Sequence, residues 1–271
     1  MVATPIGNAE DITLRALHTL QGVDAIACED TRVTSKLLTR HGIRAPLLAY
    51  HEHNAAEMRP RLLTRLQAGE AIALLSDAGT PLVSDPGYKL VRDVIDAGLA
   101  VTHLPGPSAV LTALVLSGLP SDRFLFAGFP PPKGAARRTW LQELAAVPAT
   151  LIFYETVPRL ALSLADMAAV LGDRPAAVAR ELTKLFEEVR RDSLAALATH
   201  YDQAGPPKGE IAIVVAPPSA PAPITEATID ALLGEALAGM SVRDAAAQVA
   251  AATGWKRQEV YARALLLAGK D

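Results

Sequence analysis

The segment Ser76–Gly87, with the sequence SDAGTPLVSDPG, brings together residue types that can bind a small polar molecule. Gly79 permits close approach of a ligand to the backbone, and the proline after Thr80 holds that residue extended. Asp77 adds a carboxylate beside these backbone groups. The second half has a simpler interpretation, because Asp85 can cap a helix whose first residue is the following proline. The first half therefore predicts a stiff binding loop that helix capping alone does not require.

Two other segments share this glycine–proline character at predicted strand ends, Ala3–Asn8 (ATPIGN) and Pro105–Ala109 (PGPSA). In the second, the proline before Ser108 sets a helix start, so the serine and the first free amides of the helix face outward. Ligands of open α/β sheets bind outside the carboxyl ends of the strands. The three loops together predict a small-molecule cleft, and tight turns that only serve the fold are the alternative. The sequence has neither a G-x-G-x-x-G dinucleotide motif nor a P-loop.

The elements that must position these loops alternate between short apolar runs and amphipathic helices. The predicted strands of the first half are Val23–Cys28, Leu47–Tyr50, Ala71–Leu75 and Ala100–Leu104. The predicted helices are Ile12–Gln21, Arg32–Arg40, Ala55–Gln67, Tyr88–Ala97 and Ser108–Leu116. Glycines suited to a left-handed helix cap follow four of these helices, namely Gly22, Gly42, Gly69 and Gly98. The alternation predicts a parallel sheet covered by helices on both faces.

A second sheet is predicted after the segment Gly118–Arg123, which interrupts this alternation. Its predicted strands are Phe124–Phe129, Thr150–Tyr154, Ala177–Arg180 and Glu210–Ala216, and its helices are Arg137–Ala146, Pro158–Val170 and Asp192–His200. The proline-rich segment Pro217–Pro223 indicates an extended linker. Three predicted helices follow, with Ser241 as the cap of the second: Glu226–Leu237, Val242–Ala252 and Gln258–Ala268. The predicted domains are residues 1–120, 121–216 and 224–271.

Composition limits the classes of protein that fit. The chain has 271 residues, and 50% of them are hydrophobic, which allows a sizeable core. Its net charge of -3 excludes an overall basic surface, so any nucleic-acid contact must come from a local patch. Cys28 is the single cysteine, which excludes a disulfide within the chain and fits a reducing compartment. No signal peptide or membrane-spanning apolar stretch is evident, so we expect a soluble cytoplasmic protein.

Eight segments occur together in an order typical of one protein family. They are VATPIGNAEDITLRAL (2–17), CEDTR (28–32), SDAGTPLVSDPGY (76–88), PGPSA (105–109), FAGFPPPK (126–133), YETVPR (154–159), RELTKLFEE (180–188) and KGE (208–210). The chain closely resembles the tetrapyrrole methylase superfamily, and within it the branch that methylates small-subunit ribosomal RNA. The resemblance implies two α/β domains with S-adenosylmethionine in the cleft between them, plus a small C-terminal helical segment. It also implies a homodimer that methylates the ribose 2′-hydroxyl of a cytidine in the decoding region of 16S rRNA.

The resemblance also implies the residues of the cofactor pocket. Carried over onto this sequence, they are Pro5, Asp77, Gly79, Thr80, Pro81, Ser84, Ser108, Ala109 and Tyr154. Relatives that act on tetrapyrroles carry Gly-Asp-Pro where this chain has Gly-Thr-Pro at residues 79–81, which favours the RNA branch. The family begins with a full strand before the ATPIGN segment, whereas three residues precede Thr4 here. We therefore expect a very short first strand or a chain start upstream of Met1.

Two groups of charged residues are candidates for the transfer of a methyl group to a ribose hydroxyl, which needs a base or a nearby cation. In the first, Glu29 or Asp30 would act as acid or base and Arg32 would steer a phosphate. The alternative is that Asp30 caps a helix. The second group consists of Glu155, Arg159, Arg180, Glu181, Lys184 and Glu187. For this group, substrate binding competes with a structural ion-pair network, and the general base stays open.

RNA contacts are predicted where Lys133, Arg137 and Arg138 enter a helix from a proline-stiffened loop. The alternative is a solvated basic helix start. Three arginines of an earlier helix would add to the positive field, namely Arg59, Arg61 and Arg65. In the C-terminal segment, a helix–glycine–helix turn that could grip nucleic acid carries Trp255, Lys256, Arg257 and Arg263. The alanine-rich middle helix instead favours a small accessory bundle.

No metal site is predicted. His51 and His53 would share one face of a strand, but no third ligand is apparent, and a polar strand end beside the substrate channel is the preferred interpretation. Cys28 has apolar neighbours and is expected in the core. Two other functions stay open: a tetrapyrrole C-methyltransferase, and a nucleic-acid-binding regulator whose α/β domains sense a ligand. The Gly-Thr-Pro loop, the basic segment and the C-terminal helices speak against the first of these.

Overall fold

The computed structural model describes residues 1–219 and 225–269, and the chain divides into two compact units, Met1–Pro218 and Ser219–Asp271. The first unit contains two β-sheets with their connecting helices, so the predicted α/β class is confirmed. The expected boundary at residues 120–121 lies inside this unit, between its two sheets, and stays a prediction. Residues 220–223 of the predicted linker lie outside the described residues.

The first sheet is parallel and has a buried central strand. It consists of β1 (Ala25–Cys28), β2 (Leu47–Ala49) and β3 (Ile72–Leu75) in the order β2-β1-β3. All four residues of β1 are buried, because a parallel strand covered on both faces is apolar on both faces. Val2 extends the sheet through single parallel bridges to Leu75 and Leu104. The predicted first strand is therefore very short in this structure.

The predicted strand Ala100–Leu104 is wrong, because the β-bridge that the structure describes for this segment involves Leu104 alone. The Leu104 amide donates to the carbonyl of Met1 (2.9 Å), and its carbonyl accepts from the amide of Ala3 (3.2 Å). Residues 101–103 are exposed. A strand extends only where a neighbouring segment supplies hydrogen-bond partners, and here the neighbour supplies them at one residue. The other three predicted strands of this half are confirmed with shorter ends.

Five helices connect the strands of this half. They are α1 (Leu14–Gly22), α2 (Thr31–Arg40), α3 (Ala55–Gln67), α4 (Tyr88–Asp96) and α5 (Ala109–Ser117). After α2, α3 and α4, Gly42, Gly69 and Gly98 have φ values of +67°, +91° and +71°, as predicted for left-handed caps. Gly22 is different, because it is the last residue of α1, and Val23 continues in an extended conformation.

Helix α4 begins at Tyr88, the first residue of the predicted range, and not at Pro86 as capping by Asp85 would require. Gly87, with φ +131°, occupies the N-cap position, and Tyr88 is the first helical residue. A Cβ atom at Gly87 would lie 2.7 Å from Leu82 Cδ2, so the chain passes closely over its neighbours at this point. The prediction that Asp85 caps this helix is therefore wrong, and its carboxylate has another environment.

The second sheet is mixed. Its strands are β4 (Phe124–Gly128), β5 (Thr150–Glu155), β6 (Pro175–Arg180), β7 (Glu188–Ser193) and β8 (Ile211–Val215). The order is β4-β5-β8-β6-β7, with β4 and β5 parallel and the other pairs antiparallel. Strand β7 was not predicted, because its sequence EVRRDS lacks an apolar face and forms an outer strand.

Three helices belong to this sheet: α6 (Gly134–Leu144), α7 (Leu160–Leu171) and α8 (Leu194–Ala204). Their apolar residues, including the fully buried Leu141, Leu164 and Leu197, pack against one face of the sheet, where Phe153 of β5 is also buried. Helix α8 begins two residues after the predicted start at Asp192, because that residue belongs to β7.

The second unit has its own small core. Its helices are α9 (Glu226–Leu237), α10 (Val242–Thr253) and α11 (Arg257–Leu267), close to the predicted ranges. Ile229, Leu233, Val249 and Val260 pack together with buried alanines of α10. The Ser241 hydroxyl accepts a hydrogen bond from the Asp244 amide (3.2 Å), which confirms the predicted cap. Among all the described helices of the chain, none combines the length and the apolar character needed to cross a membrane.

Candidate active site

Hydrogen bonds join the three glycine–proline loops. The Thr4 amide donates to the carbonyl of Gly79 (2.9 Å), and the Gly79 amide donates to the carbonyl of Thr4 (3.0 Å). The Thr80 hydroxyl donates to the carbonyl of Pro107 (3.2 Å), which links the same loop to the start of α5. Ser108 caps α5 by accepting from the Leu111 amide. The loops therefore form one connected edge, as their sequences predicted.

A cavity of about 510 Å³ lies between this edge and the second sheet. Its volume falls within the range of about 300–1,000 Å³ that is typical of small-molecule sites. Seven of the nine predicted cofactor residues line it, namely Asp77, Gly79, Thr80, Ser84, Ser108, Ala109 and Tyr154. Pro5 and Pro81 belong to the same loops but are not among the lining residues, and Pro81 is buried. The rest of the wall comes from the second sheet and its loops. These residues were not assigned to the pocket from the sequence, and they include Phe129, Ala179, Leu182 and Glu210.

The central loop holds an uncommon backbone conformation. Gly79 has φ +82°, and two residues with side chains, Leu82 and Ser84, also have positive φ values of 75° and 63°. Such residues cost of the order of 1–3 kcal/mol each and persist where the surrounding structure fixes them. The buried Ser76 hydroxyl, which has one hydrogen to donate, lies 3.2 Å from each of the carbonyl oxygens of Ala78 and Gly79. The loop therefore presents its backbone groups to the cavity in one fixed arrangement.

Asp85 lines the cavity and was missed as a functional residue in the sequence. Burial raises its pKa to about 6, and the negative charges of Glu29 and Asp77 act in the same direction. A hydrogen bond with Ser76 partly opposes this shift of the pKa. The second Ser-Asp pair of the loop was the signal in the sequence, but it was interpreted as a helix cap. Asp85 can exchange a proton near neutral pH, which an ordinary aspartate cannot.

The residues of the first candidate catalytic group, Glu29, Asp30 and Arg32, have different environments. Asp30 caps α2 by accepting from the Arg32 amide (2.8 Å), and Arg32 Nη2 lies 2.6 Å from its carboxylate. Hydrogen bonds from Arg32 lower the pKa of Asp30 to about 2, so the capping alternative is the one that the structure supports. The Asp30 amide also donates to Asp77 Oδ1 (3.0 Å) and so orients that carboxylate. The pKa of Glu29 is raised by burial and by Asp77, but Glu29 is not among the cavity-lining residues.

Glu155 and Arg159 form a structural network at the end of β5. The buried Glu155 carboxylate accepts from the Thr156 amide (2.6 Å) and the Ser163 hydroxyl, and it pairs with Arg159 Nη2 (2.5 Å). Arg159 Nη1 donates to the carbonyl of Pro130 (3.4 Å). The pair therefore fixes the loop of FAGFPPPK against β5, on the wall of the cavity.

The aromatic residues beside this network shape the cavity mouth. The Tyr154 ring makes edge-to-face contacts with Phe126 and Phe129, at centroid distances of 4.8 and 5.5 Å. Burial raises the pKa of Tyr154 to about 12, and Asp85 and Glu210 add to the shift. Phe129 is 51% exposed while lining the cavity, so its ring lies at the entrance.

Three more charged residues of the second group are also paired, whereas Glu187 accepts a hydrogen bond from the Thr183 amide (2.7 Å). Arg180 Nη2 lies 2.9 Å from Glu188, and Lys184 Nζ lies 2.8 Å from both Glu181 and Glu210. Glu181 has a positive φ of 50°, and its carboxylate accepts from the Glu210 amide (3.0 Å). These contacts match the structural ion-pair alternative. They hold the loop between β6 and β7 beside the cavity.

The predicted RNA contact by Arg137 is wrong. Its side chain is only 5% exposed and pairs with Asp166 (2.6 Å), and its Nη1 donates to the carbonyls of Pro131 and Pro132 (3.4 Å each). The guanidinium thus fixes the proline loop from inside. Arg138 is half exposed and shares Asp166 at 3.1 Å. Lys133 is exposed at the start of α6.

The other predicted cations are paired as well. Arg59 pairs with Asp93, Arg61 with Glu57, and Arg65 with Glu70. In the second unit, Arg263 pairs with Glu226 (2.6 Å) and Asp230 (2.5 Å). Half-buried Trp255 packs against the core of that unit, whereas Lys256 and Arg257 are exposed.

His51 and His53 lie with their ring centroids 6.0 Å apart. The part of the chain that the structure describes contains no group of three His, Cys, Asp or Glu side chains arranged to hold a metal ion. Cys28 is fully buried in the core of the first sheet, as predicted, and burial raises the pKa of its thiol.

Comparison with known proteins assigns the two parts of the chain to families. Residues 1–198 match the family Tetrapyrrole (Corrin/Porphyrin) Methylases, and residues 223–268 match the RsmI C-terminal HTH domain. The chain is similar to two proteins named ribosomal RNA small subunit methyltransferase I. It is 57% identical to that of Mesorhizobium japonicum, over 98% of this chain and 91% of the relative, and 55% identical to that of Erythrobacter litoralis, over 98% and 94%.

A solved structure shows the same fold at low sequence identity. Diphthine synthase superposes with a TM-score of 0.61 at 17% identity, over 79% of this chain and 88% of that protein. This structural similarity shows a shared fold only. The family match and the near-full-length relatives show similarity of the amino-acid sequence. The chain therefore belongs to the tetrapyrrole methylase family and, within it, to the group of ribosomal RNA small subunit methyltransferase I proteins.

Proposed function

We propose that this protein methylates the ribose 2′-hydroxyl of a cytidine in the decoding region of 16S rRNA, with S-adenosylmethionine as the methyl donor. The observation that carries the proposal is near-full-length identity of 57% to a protein named ribosomal RNA small subunit methyltransferase I. The cytidine and the ribose position extend beyond that name and follow from the resemblance of the sequence motifs. A ribosomal RNA substrate places the reaction in the cytoplasm.

The cavity fits S-adenosylmethionine, which the methyltransferases of this family use. The donor is an amino acid, a sulfonium and an adenosine, so it needs negative charge, backbone partners and an apolar surface. Asp77 and Asp85 supply carboxylates, and the fixed loop around Gly79 supplies backbone groups. Ile6 and Leu182, which belong to one buried cluster, supply apolar wall. We propose that these residues hold the donor, together with Thr80, Ser84, Ser108, Ala109 and Tyr154.

When bound, the donor supplies a methyl carbon on a positively charged sulfur, which a nucleophile takes by in-line displacement. The chain must then orient the ribose hydroxyl and remove its proton as the new oxygen–carbon bond forms and the carbon–sulfur bond breaks. We propose Asp85 as the acceptor of this proton, because its carboxylate lines the cavity and has a pKa of about 6. Asp30 is a much weaker base, since its pKa is about 2. Glu29 is the second candidate for the base.

Phe129 is a candidate for binding the target nucleotide. Its ring is half exposed at the entrance, and Arg159 and Tyr154 fix the loop that carries it. Proteins commonly bind an unstacked RNA base by stacking it on an aromatic ring. We propose that the cytidine base stacks on Phe129 while its ribose faces Asp85.

Methyl transfer with a labelled donor tests the function. The purified protein is incubated with S-adenosylmethionine labelled in its methyl group and with small ribosomal subunits from a strain that lacks the corresponding enzyme. Label in 16S rRNA, mapped to a cytidine ribose by mass spectrometry of nuclease fragments, supports the proposal. Label in uroporphyrinogen but not in RNA supports the tetrapyrrole alternative. Label in neither, with S-adenosylmethionine bound, supports the ligand-sensing regulator.

We also propose that the protein acts as a homodimer. Helix α5 is apolar on every side, yet Leu111 and Val115 are 50% and 77% exposed. A helix of this character is normally covered on all faces. Its buried side packs on the second sheet through Val110 and Leu114, which leaves the other side for a second copy. Sedimentation of the wild type as a dimer and of Val115→Glu as a monomer would support this surface.

A further inference from the structure

The cations that the sequence suggested for RNA binding are mostly neutralised within the protein. Carboxylates lie within 4 Å of five of them, namely Arg137, Arg138, Arg159, Arg180 and Lys184. The chain also has a net charge of -3. An enzyme that acts on RNA needs cations that remain available to phosphates, because phosphate contacts position the substrate. The exposed surface beside the cavity has to supply them.

Helix α2 carries such cations in a regular row. Arg32, Lys36 and Arg40 follow each other at intervals of four residues, and all three are exposed. Residues at this spacing lie above one another on one face of a helix. The helix sequence TRVTSKLLTR contains no acidic residue. Arg44 is also exposed and follows shortly after the end of the helix. We call these four residues the α2 stripe.

Packing fixes the direction in which the α2 stripe points. Thr34 and Leu38 are buried on the opposite face of the helix, so Lys36 and Arg40 face solvent. Within the described ranges 1–219 and 225–269, no carboxylate lies within 4 Å of the charged groups of Lys36, Arg40 or Arg44. Arg32 pairs with Asp30 but remains 86% exposed. The stripe therefore differs from the neutralised cations of the second sheet.

The α2 stripe begins near the cavity, one hydrogen bond away from a residue of its wall. Helix α2 follows the carboxyl end of β1, and the amide of its cap residue Asp30 donates to Asp77, which lines the cavity. From there the ten residues of the helix extend about 15 Å across the surface. A nucleotide strand whose reacting ribose lies in the cavity could therefore continue along this row.

We propose that the α2 stripe binds the phosphate backbone of the RNA that flanks the target nucleotide. The inference rests on the proposed function and adds the surface that positions the substrate. The contacts are to phosphates, so they fix the register of the RNA strand without reading its sequence. The partner is RNA rather than an acidic protein, because the row begins near the cavity where the ribose must react.

A double charge reversal tests the α2 stripe. Lys36→Glu/Arg40→Glu is expected to raise the KM for small ribosomal subunits roughly 10- to 100-fold and to lower the salt slope of RNA binding by about 2, one for each lost phosphate contact. The kcat and the calorimetric affinity for S-adenosylmethionine should stay unchanged, since neither residue lines the cavity. The matched control is Lys89→Glu/Arg92→Glu, the same charge change at exposed positions of α4.

The outcomes separate this inference from the proposed function. An unchanged KM and salt slope in an active Lys36→Glu/Arg40→Glu variant would overturn the α2 stripe and leave the methyltransferase intact. An equal loss in the α4 control would also overturn it, because the effect would then reflect overall charge. The milder Lys36→Gln/Arg40→Gln variant guards against misfolding and is expected to show the same slope change with a smaller rise in KM. A wild-type protein that methylates no RNA would instead contradict the proposed function.

Discussion

The loops of the first sheet and the charged residues around the second sheet use similar residue types in different ways. In the first region, Asp77 and Asp85 line the cavity, and among the described residues no cation lies within 4 Å of either carboxylate. In the second region, Glu155 and Glu181 pair with Arg159 and Lys184. Unpaired carboxylates keep their charge or proton available to a ligand. Paired ones hold loops in place, so the second region supports the site that the first region provides.

If unpaired carboxylates serve the ligand, the substitution with the largest expected effect is at Asp85. Asp85→Asn is expected to lower kcat about 10²- to 10⁴-fold, the usual contribution of a general base. Wild-type kcat should rise with pH through about 6, where Asp85 loses its proton in the field of Glu29 and Asp77. This rise of kcat with pH should be absent in the variant. Asp30→Asn is the control, because asparagine also caps a helix and this variant should keep kcat, and a full loss of activity in both variants would contradict the assignment.

The same raised pKa also predicts the sign of a stability change. Burial favours the protonated form of Asp85, so its contribution to folding is present at pH below 3.8 and is lost as the pH rises through about 6. Asp85→Asn should therefore melt at a higher temperature than the wild type at pH 8 and at a similar temperature near pH 3.5.

The next effect concerns a paired cation. Arg137→Met is expected to lower the free energy of unfolding by about 3 kcal/mol, the lower end of the cost of breaking a buried pair, because Arg138 still contacts Asp166. Arg137→Met/Asp166→Leu should recover most of this loss. Denaturant unfolding measures both variants. If Arg137→Met unfolds like the wild type but binds RNA poorly, the distinction between the two regions fails at this residue.

A smaller effect is expected at Asp77. Asp77→Ala removes a carboxylate from the cavity wall and should weaken S-adenosylmethionine binding about tenfold, or about 1.4 kcal/mol. Its effect on unfolding should be smaller, because Asp77 accepts one hydrogen bond, from the Asp30 amide. Calorimetric titration measures the affinity. An unchanged affinity would place the donor away from this loop.

The smallest effect is expected at Lys133, the exposed cation of the FAGFPPPK loop. Lys133→Ala should leave the free energy of unfolding within about 0.5 kcal/mol of the wild type. It should lower the salt slope of RNA binding by about 1 if this residue contacts a phosphate. Binding of a labelled rRNA fragment at several salt concentrations measures the slope, and an unchanged slope would remove Lys133 from the RNA surface.

The sequence predicted the parts of this molecule that local patterns determine. Apolar runs followed by glycine and proline gave the loops of residues 3–8, 76–87 and 105–109, and these loops do meet at one cavity. It did not predict which charges are neutralised, because the partners are distant in the chain. Arg137 and Asp166 are separated by 29 residues, and their contact depends on how α6 packs against α7.

Two further misses have the same origin in tertiary contacts. β7 forms a strand because β6 offers it a partner, although its sequence has no apolar alternation. Asp85 lies on the cavity wall because Gly87, and not Asp85, occupies the N-cap position of α4. The sequence Ser-Asp-Pro-Gly is compatible both with a helix cap and with a loop that lines a cavity. Only the three-dimensional arrangement shows which of these two environments Asp85 has.

The outer strand β7 has a consequence for how copies of this protein can associate. Arg190, Arg191 and Asp192 project from it in succession and are exposed. Two copies that joined these edges around a twofold axis would bring arginines opposite arginines, and like charges in that position repel. Such repulsion disfavours growth of the second sheet into a continuous intermolecular sheet.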